Sequence, residues 1–542
     1  MNSPLAFHRA DIVWFKTAHQ KINRAILGLA VKIPVLLYQE SVIEPTTGQM
    51  ISSPTSSPNP TSKRTILTIG ILLGFTLSAS HVRAEIKLPQ VIDSHMVLQR
   101  NSEAKIWGWA NAGEKILMHC DWVESPIETV AGDDGTWKVS LETTNAGGPH
   151  SITLQGSNTI TLEDILFGEV WIASGQSNME MPFIRVSNAY TGIQDADKEV
   201  AAAQYPNIRI FQVGNFSSIE PQDDVVPGIT MYGVPPAKCD WQASSPETIS
   251  TFSATAYFFA RELHKTLNVP IGIIDASWGG TSAEAWTPKA GLEKLGYETE
   301  IAQAAERPQK PDDKVPTRLY NGMIHPLRNL KIKGTIWYQG EGNTKRANKY
   351  QQLFSTMIDE WRQSFDNNFS FHFVQIAPFN YDNRNAAFLR EAQLKTLAVP
   401  RTGMAVTMDI GNITDIHPKN KQEVGRRLAL LALAKDYGQQ INWSGPQFQK
   451  VKFSNAKAII SFDHADDGLT TMDGKAPSHF EISGDDRNFQ PADARIDGNT
   501  VVVFSKQVSQ PMAVRYAFTS NATPNLINKM LLPASSFRTD NW

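Results

Sequence analysis

One serine stands where a nucleophile would be presented. Ser177 lies in the segment Ser174–Met179, which directly follows the compact apolar run Glu169–Ala173. A serine in a glycine-containing turn after a strand exposes its hydroxyl, and the backbone N–H groups of a following helix lie close to it. This context suits nucleophilic attack on an ester. A serine that only caps a helix has the same local surroundings, so this segment alone leaves both interpretations open.

Three further polar segments follow similar apolar runs. They are Ser277–Ser282, Tyr338–Asn343 and Asp409–Pro418. Because ligands bind at the carboxyl ends of the strands in open α/β sheets, we expect these segments to meet at one edge of a sheet. Together they supply a serine, backbone donors, a carboxamide and a histidine with a nearby aspartate, which are the groups that acyl transfer needs.

The same segments resemble a known family. GQSNM, WGGTS, WYQGEGN and DIHPKNKQEVGRRLA resemble the four sequence blocks of the SGNH-type hydrolases, and most closely those of the sialate O-acetylesterase group. LFGEVW at 166–171, NGMIHPL at 321–327 and the closing FRTDNW are similar to that group as well. The resemblance covers roughly residue 86 to the end. It implies a serine hydrolase that removes O-acetyl esters from sialic acids or related sugars, with no cofactor and no metal.

The resemblance also implies roles for individual residues. Ser177 corresponds to the nucleophile and His417 to its general base. The N–H of Gly279 and the side-chain amide of Gln339 correspond to oxyanion donors, and Gly280 is a rival for the place of Gly279. Four more residues are candidates for lining the substrate or supporting the site: Asn178, Glu341, Asn343 and His325.

The acid that orients the histidine departs from the family pattern. The family has an aspartate three residues before the histidine, but Thr414 occupies that position here. Asp415 lies two residues before His417, and residues i and i+2 of an extended segment point the same way. Asp415 is therefore the first candidate. Asp409 at the strand end and a backbone carbonyl are the alternatives.

The elements that must position these residues alternate between strands and helices. Residues 167–442 carry short apolar runs separated by helical patterns, of which 348–365 and 422–437 are the clearest. With the resemblance, this predicts an SGNH-type three-layer α/β/α catalytic domain with a parallel sheet. Residues 86–166 and 443–542 carry β-type runs with turn formers, so we expect a sandwich-like N-terminal β domain and a C-terminal β domain.

The N-terminus predicts export. Two basic residues precede the apolar run 65–77, and small residues follow it up to Ala84. This order is typical of a secretory signal peptide, which we place at 63–84, with 1–62 as a disordered or non-native leader. A retained membrane anchor is the alternative. The predicted location is periplasmic or secreted.

Composition narrows the partners. The 542 residues carry a formal net charge of -3, which favours neither nucleic acid nor a membrane surface after signal cleavage. Cys120 and Cys239 are predicted to be separate buried thiols. The expected partner is an O-acetylated sugar, and acetylated xylan is an alternative substrate because loops recognise the sugar. A non-catalytic glycan-binding protein is the rival of another class, although a binder has no need of a nucleophile with its base.

Overall fold

The computed structural model describes residues 85–188, 190–229, 236–381 and 386–542, which all lie in one compact unit. The predicted leader and signal peptide fall outside these residues. Within the described ranges, no helix is both long enough and apolar enough to cross a membrane.

The strands up to the end of the central region are numbered in chain order. They are β1 (Val97–Gln99), β2 (Glu103–Trp109), β3 (Lys115–Cys120), β4 (Ile127–Val130), β5 (Thr136–Glu142), β6 (Gly147–Gln155), β7 (Thr159–Gly175), β8 (Tyr205–Gln212), β9 (Trp241–Ser244), β10 (Ile271–Ser277), β11 (Gly334–Tyr338), β12 (Ser370–Val374) and β13 (Thr402–Ala405). The helices are Ser177–Glu180, Ala196–Ala201, Pro246–Ile249, Ala254–Leu267, Lys289–Glu293, Glu298–Glu306, Ala347–Ser364, Ala387–Thr396 and Lys421–Lys435. Shorter 3-10 or π turns cover Ala283–Trp286, Tyr320–Ile324, His325–Leu327 and Glu341–Arg346.

The central sheet has the strand order β13-β12-β11-β7-β10-β8-β9. Every neighbouring pair from β13 to β8 is parallel, and the edge strand β9 is antiparallel to β8. All residues of β10, β11 and β12 are buried, as expected for parallel strands that are covered on both faces. The predicted α/β fold with a parallel sheet is confirmed, and the antiparallel edge is an addition to it.

Two hydrophobic cores cover the two faces of this sheet. Ile336 packs into one core with the helices Ala254–Leu267 and Lys421–Lys435, whereas its neighbour Trp337 packs into the other core with Ala347–Ser364. Successive residues of a strand point to opposite faces, so the continuous apolar run in β11 serves both layers. The helices predicted at 348–365 and 422–437 agree with the observed ones to within two residues.

Strand β7 connects the N-terminal β region to the central sheet. It is 17 residues long. Its first part pairs antiparallel with β6, and its last part pairs with β10 and β11. The predicted boundary between residues 166 and 167 therefore lies inside one strand. As a result the N-terminal β region and the catalytic layer share a continuous sheet.

The C-terminal region is built of small antiparallel sheets. Its strands are β14 (Gln447–Ser454), β15 (Lys457–Asp463), β16 (Leu469–Thr471), β17 (Phe480–Ser483), β18 (Gln490–Pro491), β19 (Asp493–Asp497), β20 (Thr500–Phe504), β21 (Ala513–Tyr516), β22 (Leu526–Asn528) and β23 (Phe537–Arg538). This region packs on the catalytic layer: Gln375 donates to the Ser535 hydroxyl over 2.9 Å, and Arg538 contacts Glu391 over 3.0 Å. The flanking β regions are thus confirmed.

Both cysteines are buried and free. This agrees with the prediction of two separate thiols.

Candidate active site

Ser177 lies directly beyond the carboxyl end of β7, where it begins the short helix Ser177–Glu180. The turn before it needs a glycine. Gly175 has a φ of 136°, and a Cβ added there would lie 2.3 Å from the Tyr338 carbonyl oxygen of the adjacent strand β11. Such a contact is far too short for carbon against oxygen, so any side chain at this position would push β7 and β11 apart. The glycine lets the chain turn and deliver Ser177 to the sheet edge.

Gly279 approaches Ser177 from the end of β10. A Cβ built on Gly279 would lie 3.2 Å from the Ser177 Cβ and 2.5 Å from the Tyr190 hydroxyl. Only a glycine fits between these two side chains. The structure therefore places the first and second predicted blocks in contact, as their positions after neighbouring parallel strands require.

The N–H of Gly279 has a partner in this structure, the carboxylate of Glu180. Gly279 N donates to Glu180 Oε2 over 2.7 Å, and the Tyr190 hydroxyl donates to the same oxygen over 2.5 Å. Asn215 donates to the other oxygen over 2.9 Å. Burial raises the pKa of Glu180, while these three donors and the nearby Lys314 charge oppose that rise. An ester oxygen would have to compete with Glu180 for the Gly279 N–H.

Lys314 fixes the other side of the same loop. Its Nζ donates to the Gly279 carbonyl over 2.6 Å and lies 5.1 Å from the ring centre of Trp278. Gly280 follows with a φ of 70°, a conformation that favours glycine. Gly280 is exposed at the turn. Of the two rival glycines, Gly279 is the one that lies against Ser177.

Gln339 is completely buried beneath the site. Its amide nitrogen donates to Asn343 Oδ1 over 2.7 Å and to the Thr281 carbonyl over 3.2 Å, and its amide oxygen accepts from the Tyr350 hydroxyl over 2.9 Å. To stabilise an oxyanion, the amide would have to leave Asn343 and Thr281. The role of Gln339 as an oxyanion donor stays a prediction.

Asn343 links two of the predicted segments. Its Oδ1 also accepts from Ala283 N over 2.9 Å, and its Nδ2 donates to Glu284 over 2.9 Å. Glu284 in turn pairs with Arg346 over 3.0 Å. Asn343 therefore ties the loop after β10 to the loop after β11.

His417 is brought to Ser177 by a contact between their chain neighbours. Asn178, which follows Ser177, donates from Nδ2 to the carbonyl of Ile416, which precedes His417, over 3.0 Å. The ring of Tyr190 stands edge-on to the His417 ring, with 5.3 Å between centroids. Nucleophile and base candidates, 240 residues apart in the numbering, are therefore neighbours at the carboxyl edge of the sheet.

The two aspartate candidates have different surroundings. Asp415 Oδ1 accepts from the backbone N–H of His417 over 2.9 Å and lies 3.9 Å from its Nδ1. Both carboxylate oxygens of Asp409 are bound by Arg427 over 2.6 Å each. Of the two, Asp415 is therefore the candidate that contacts His417, and its hydrogen bond is to the backbone N–H of His417. Which group serves as the acid stays a prediction.

Other candidates take part in packing. His325 Nδ1 lies 2.9 Å from the Gln222 carbonyl oxygen, and burial lowers its pKa. The neighbouring tryptophans Trp278 and Trp286 are completely buried and also pack in the core.

Three residues near the site escaped the sequence analysis: Glu180, Tyr190 and Lys421. Glu180 had a weak signal, because it stands three residues after Ser177 in a predicted helical turn. Tyr190 lies outside all four segments and had none. Lys421 had a signal in its neighbour, since Asn420 caps the following helix by accepting from Glu423 N over 3.1 Å. That cap makes Lys421 the first helical residue.

The fold and the arrangement of the site are typical of an esterase of the α/β class, and comparison with known proteins places the chain among the carbohydrate esterases. The family model described as "Carbohydrate esterase, sialic acid-specific acetylesterase" matches residues 168–434. A solved carbohydrate acetylesterase from Xanthomonas citri is 39% identical, with a TM-score of 0.76, and the match covers 84% of this chain and 100% of that one.

Curated relatives give the family more narrowly. Sialate O-acetylesterase from Mus musculus is 30% identical over 492 residues, which are 79% of this chain and 88% of that protein. Sialate O-acetylesterase from Rattus norvegicus is 31% identical over 450 residues, which are 72% of this chain and 81% of that protein. The chain belongs to the sialate O-acetylesterase family, a family of carboxylic ester hydrolases. The resemblance noted in the sequence is thereby confirmed.

Proposed function

We propose that this protein is an exported serine esterase that removes O-acetyl groups from sialic acids or closely related sugars. The observation that carries the proposal is the meeting of Ser177, Gly279 and the His417 loop at the carboxyl edge of one parallel sheet. The names of the relatives at about 30% identity support the substrate class.

In the first half of the reaction, Ser177 Oγ attacks the acetyl carbonyl carbon and gives its proton to His417. The bond between the acetyl carbon and the sugar oxygen then breaks, and His417 returns the proton to the leaving alcohol. In the second half, water attacks the acetyl-serine with His417 again as base. Acetate leaves and Ser177 recovers its proton, so no oxidant or further reactant is consumed.

Backbone donors stabilise the negative oxygen formed at each step. The N–H of Ser177 belongs to the first turn of a helix, where N–H groups have no intrahelical acceptor. The N–H of Gly279 lies beside the Ser177 side chain. Preorganised donors of this kind contribute about 10²- to 10³-fold each in serine hydrolases. The substrate oxygen takes the Gly279 N–H in place of Glu180.

A broader carbohydrate acetylesterase is the second candidate. The solved Xanthomonas citri protein, which is 39% identical, is a carbohydrate acetylesterase and is named for no particular sugar. Two of the arginines near the blocks already have partners: Arg346 pairs with Glu284, and Arg185 contacts Asn188. The charge of Arg346 is therefore already balanced by a carboxylate, whereas Asn188 is neutral and leaves the charge of Arg185 unbalanced. Neutral acetylated sugars such as acetylated xylan are the alternative substrates.

The deciding experiment measures acetate release from 9-O-acetylated sialic acid and from acetylated xylan, with wild type and Ser177→Ala. We expect wild type to cleave at least one substrate and Ser177→Ala to lose several orders of magnitude. Ser174→Ala is the matched control, because Ser174 is a buried serine near the end of β7, three residues before Ser177, and its hydroxyl donates to the Ala276 carbonyl over 2.7 Å.

The ratio of the two rates then identifies the substrate branch. Equal activity of Ser177→Ala and wild type would remove Ser177 as nucleophile. If neither substrate reacts, a non-catalytic glycan-binding role is favoured over the esterase role.

Export belongs to the same proposal and rests on the sequence at 63–84. Mass spectrometry of the exported protein should find a mature N-terminus at or near Glu85. Recovery of a peptide from before residue 60 in the exported protein would contradict it.

A further inference from the structure

A buried lysine lies behind the two catalytic loops. Lys421 is the first residue of the helix Lys421–Lys435 and is completely buried. Its Nζ donates to Asn178 Oδ1 over 2.5 Å and lies 5.2 Å from the ring centre of Tyr338. Asn178 directly follows Ser177 in the chain, so the ammonium group reaches the base of the nucleophile turn.

Asn178 also forms hydrogen bonds with two other loops. Its Nδ2 donates to Glu341 Oε1 over 2.7 Å and to the Ile416 carbonyl over 3.0 Å. One side-chain amide thus joins the turn after β7, the loop after β11 and the loop that carries His417. The second oxygen of Glu341 is buried and has no hydrogen-bond partner in the described part of the chain.

The position of Lys421 is unfavourable for stability. A cation at the N-terminus of a helix opposes the helix dipole, and a buried charge loses its hydration. Burial lowers the pKa of Lys421 to about 7 and raises the pKa of Glu341. Replacing such buried ionic groups with apolar ones is often neutral or stabilising. A buried lysine at a helix N-terminus costs stability. Its presence beside the active site is therefore better explained by function than by folding.

The chemistry of the three groups explains why a lysine is present. A side-chain amide can rotate by half a turn and exchange its oxygen with its nitrogen. The ammonium form of lysine carries only donors, and a backbone carbonyl offers only acceptors. With the Lys421 ammonium on one side and the Ile416 carbonyl on the other, Asn178 has a single orientation in which both partners are satisfied.

We infer that Lys421 is a positioning residue, which orients the Asn178 amide so that it holds the Ile416 carbonyl and thereby places His417 against Ser177. This inference rests on the proposed roles of Ser177 and His417. Lys421 itself touches no reacting atom. Its removal frees the amide to turn, releases the His417 loop and lowers the rate of proton transfer while leaving sugar binding in place.

The test compares Lys421→Met with Lys435→Met, a change of the same chemistry at the exposed far end of the same helix. We expect kcat of Lys421→Met to fall about a hundredfold, as for a misplacement of roughly 1 Å. KM should stay within about twofold because Lys421 is completely buried and has no contact with the sugar in the proposed mechanism. The acid limb of the pH profile should move, since His417 changes its surroundings. Lys435→Met should match wild type.

Asn178→Asp is the second variant and covers the case in which Lys421→Met does not fold. Its carboxylate can still accept from Lys421 but has no N–H for the Ile416 carbonyl. We expect the same loss of kcat with the same change in the pH profile. The double variant should be no worse than either single one.

Three results would overturn the inference. One is a folded Lys421→Met with kcat within twofold of wild type. Another is a loss of activity in proportion to the loss of folded protein, with an unchanged pH profile. The third is an Asn178→Asp enzyme with wild-type kcat. In each case Ser177→Ala would still be inactive if the proposed function is right, so the two failures are distinguishable.

Discussion

Two of the four histidine–aspartate pairs in the described residues, His372–Asp436 and His417–Asp415, differ in almost every respect. His372 Nε2 lies 2.7 Å from Asp436 Oδ2, and the two side chains are 0% and 1% exposed. His417 Nδ1 lies 3.9 Å from Asp415 Oδ1, and these side chains are 12% and 31% exposed. By distance alone, the first pair looks like the catalytic one.

Their places in the fold reverse that impression. His372 lies on β12 inside the sheet, and Asp436 follows the helix Lys421–Lys435. That pair fastens a helix to a strand. His417 lies in a loop at the carboxyl edge, tied to the neighbour of Ser177. A short contact between histidine and carboxylate indicates strong pairing, whereas catalysis needs a base beside a nucleophile and access to substrate.

The largest expected effect separates the two histidines by activity. His417→Gln should lower kcat on the order of 10⁴-fold, because the general base and its nucleophile act as a unit. His372→Gln is the control and should keep the kcat of the protein that remains folded. Steady-state acetate release, normalised to folded protein by circular dichroism, measures both. Comparable losses of kcat in the two variants would contradict the assignment.

The next largest effect is on the stability that the buried His372–Asp436 pair contributes. Asp436→Asn should lower the free energy of unfolding by about 1–3 kcal/mol at neutral pH, as for leaving a buried hydrogen-bond partner unsatisfied. Burial raises the pKa of Asp436, but hydrogen bonds and charges from His372, Ser370 and Lys333 outweigh it, so the net pKa is lowered.

The pH dependence of that loss has a definite sign. A carboxyl group with a lowered pKa in the folded state stabilises the protein above its unfolded pKa of about 3.9 and loses this contribution as pH falls. Urea unfolding at pH 7 and near pH 3 should therefore show the difference between wild type and Asp436→Asn shrinking in acid. A difference that grows in acid would refute the pairing.

The smallest effect concerns the loosely placed acid. Asp415→Asn keeps an oxygen that can accept the His417 backbone N–H, and the carboxylate is 3.9 Å from Nδ1. We expect kcat to fall by less than about tenfold, compared with about 10⁴-fold where the aspartate binds the ring directly. Asp415→Ala, which also loses the backbone contact, should be worse. A 10⁴-fold loss in Asp415→Asn would show that Asp415 orients the ring during catalysis.

Much of the fold could be predicted because its signals are local. The buried strand β11 is a continuous apolar run, and the helix Ala347–Ser364 shows its apolar positions at helical spacing. The meeting of the four segments followed from the rule that parallel strands end at one edge. The length of β7 could not be predicted. Only its last part has the continuous apolar pattern of a buried strand, whereas its first part pairs with β6 of the N-terminal region.

The site was less predictable because its contacts are not local. The Gly279 N–H was expected to be an oxyanion donor. The position of Glu180, three residues after Ser177, places it near the site but does not predict that it binds this N–H. The burial of Lys421 depends on three loops that come from distant parts of the chain. A lysine at the start of a helix is usually solvated, so composition and spacing favour the wrong surroundings for it.

The most direct test of the central claim is covalent labelling of the nucleophile. A fluorophosphonate probe reacts with an activated serine, and peptide mapping then identifies the labelled residue. We predict one label, on Ser177, with a rate that collapses in His417→Gln and is unchanged in folded His372→Gln. Labelling of a different serine, or an unchanged rate in His417→Gln, would contradict the assignment of Ser177 and His417 as nucleophile and base.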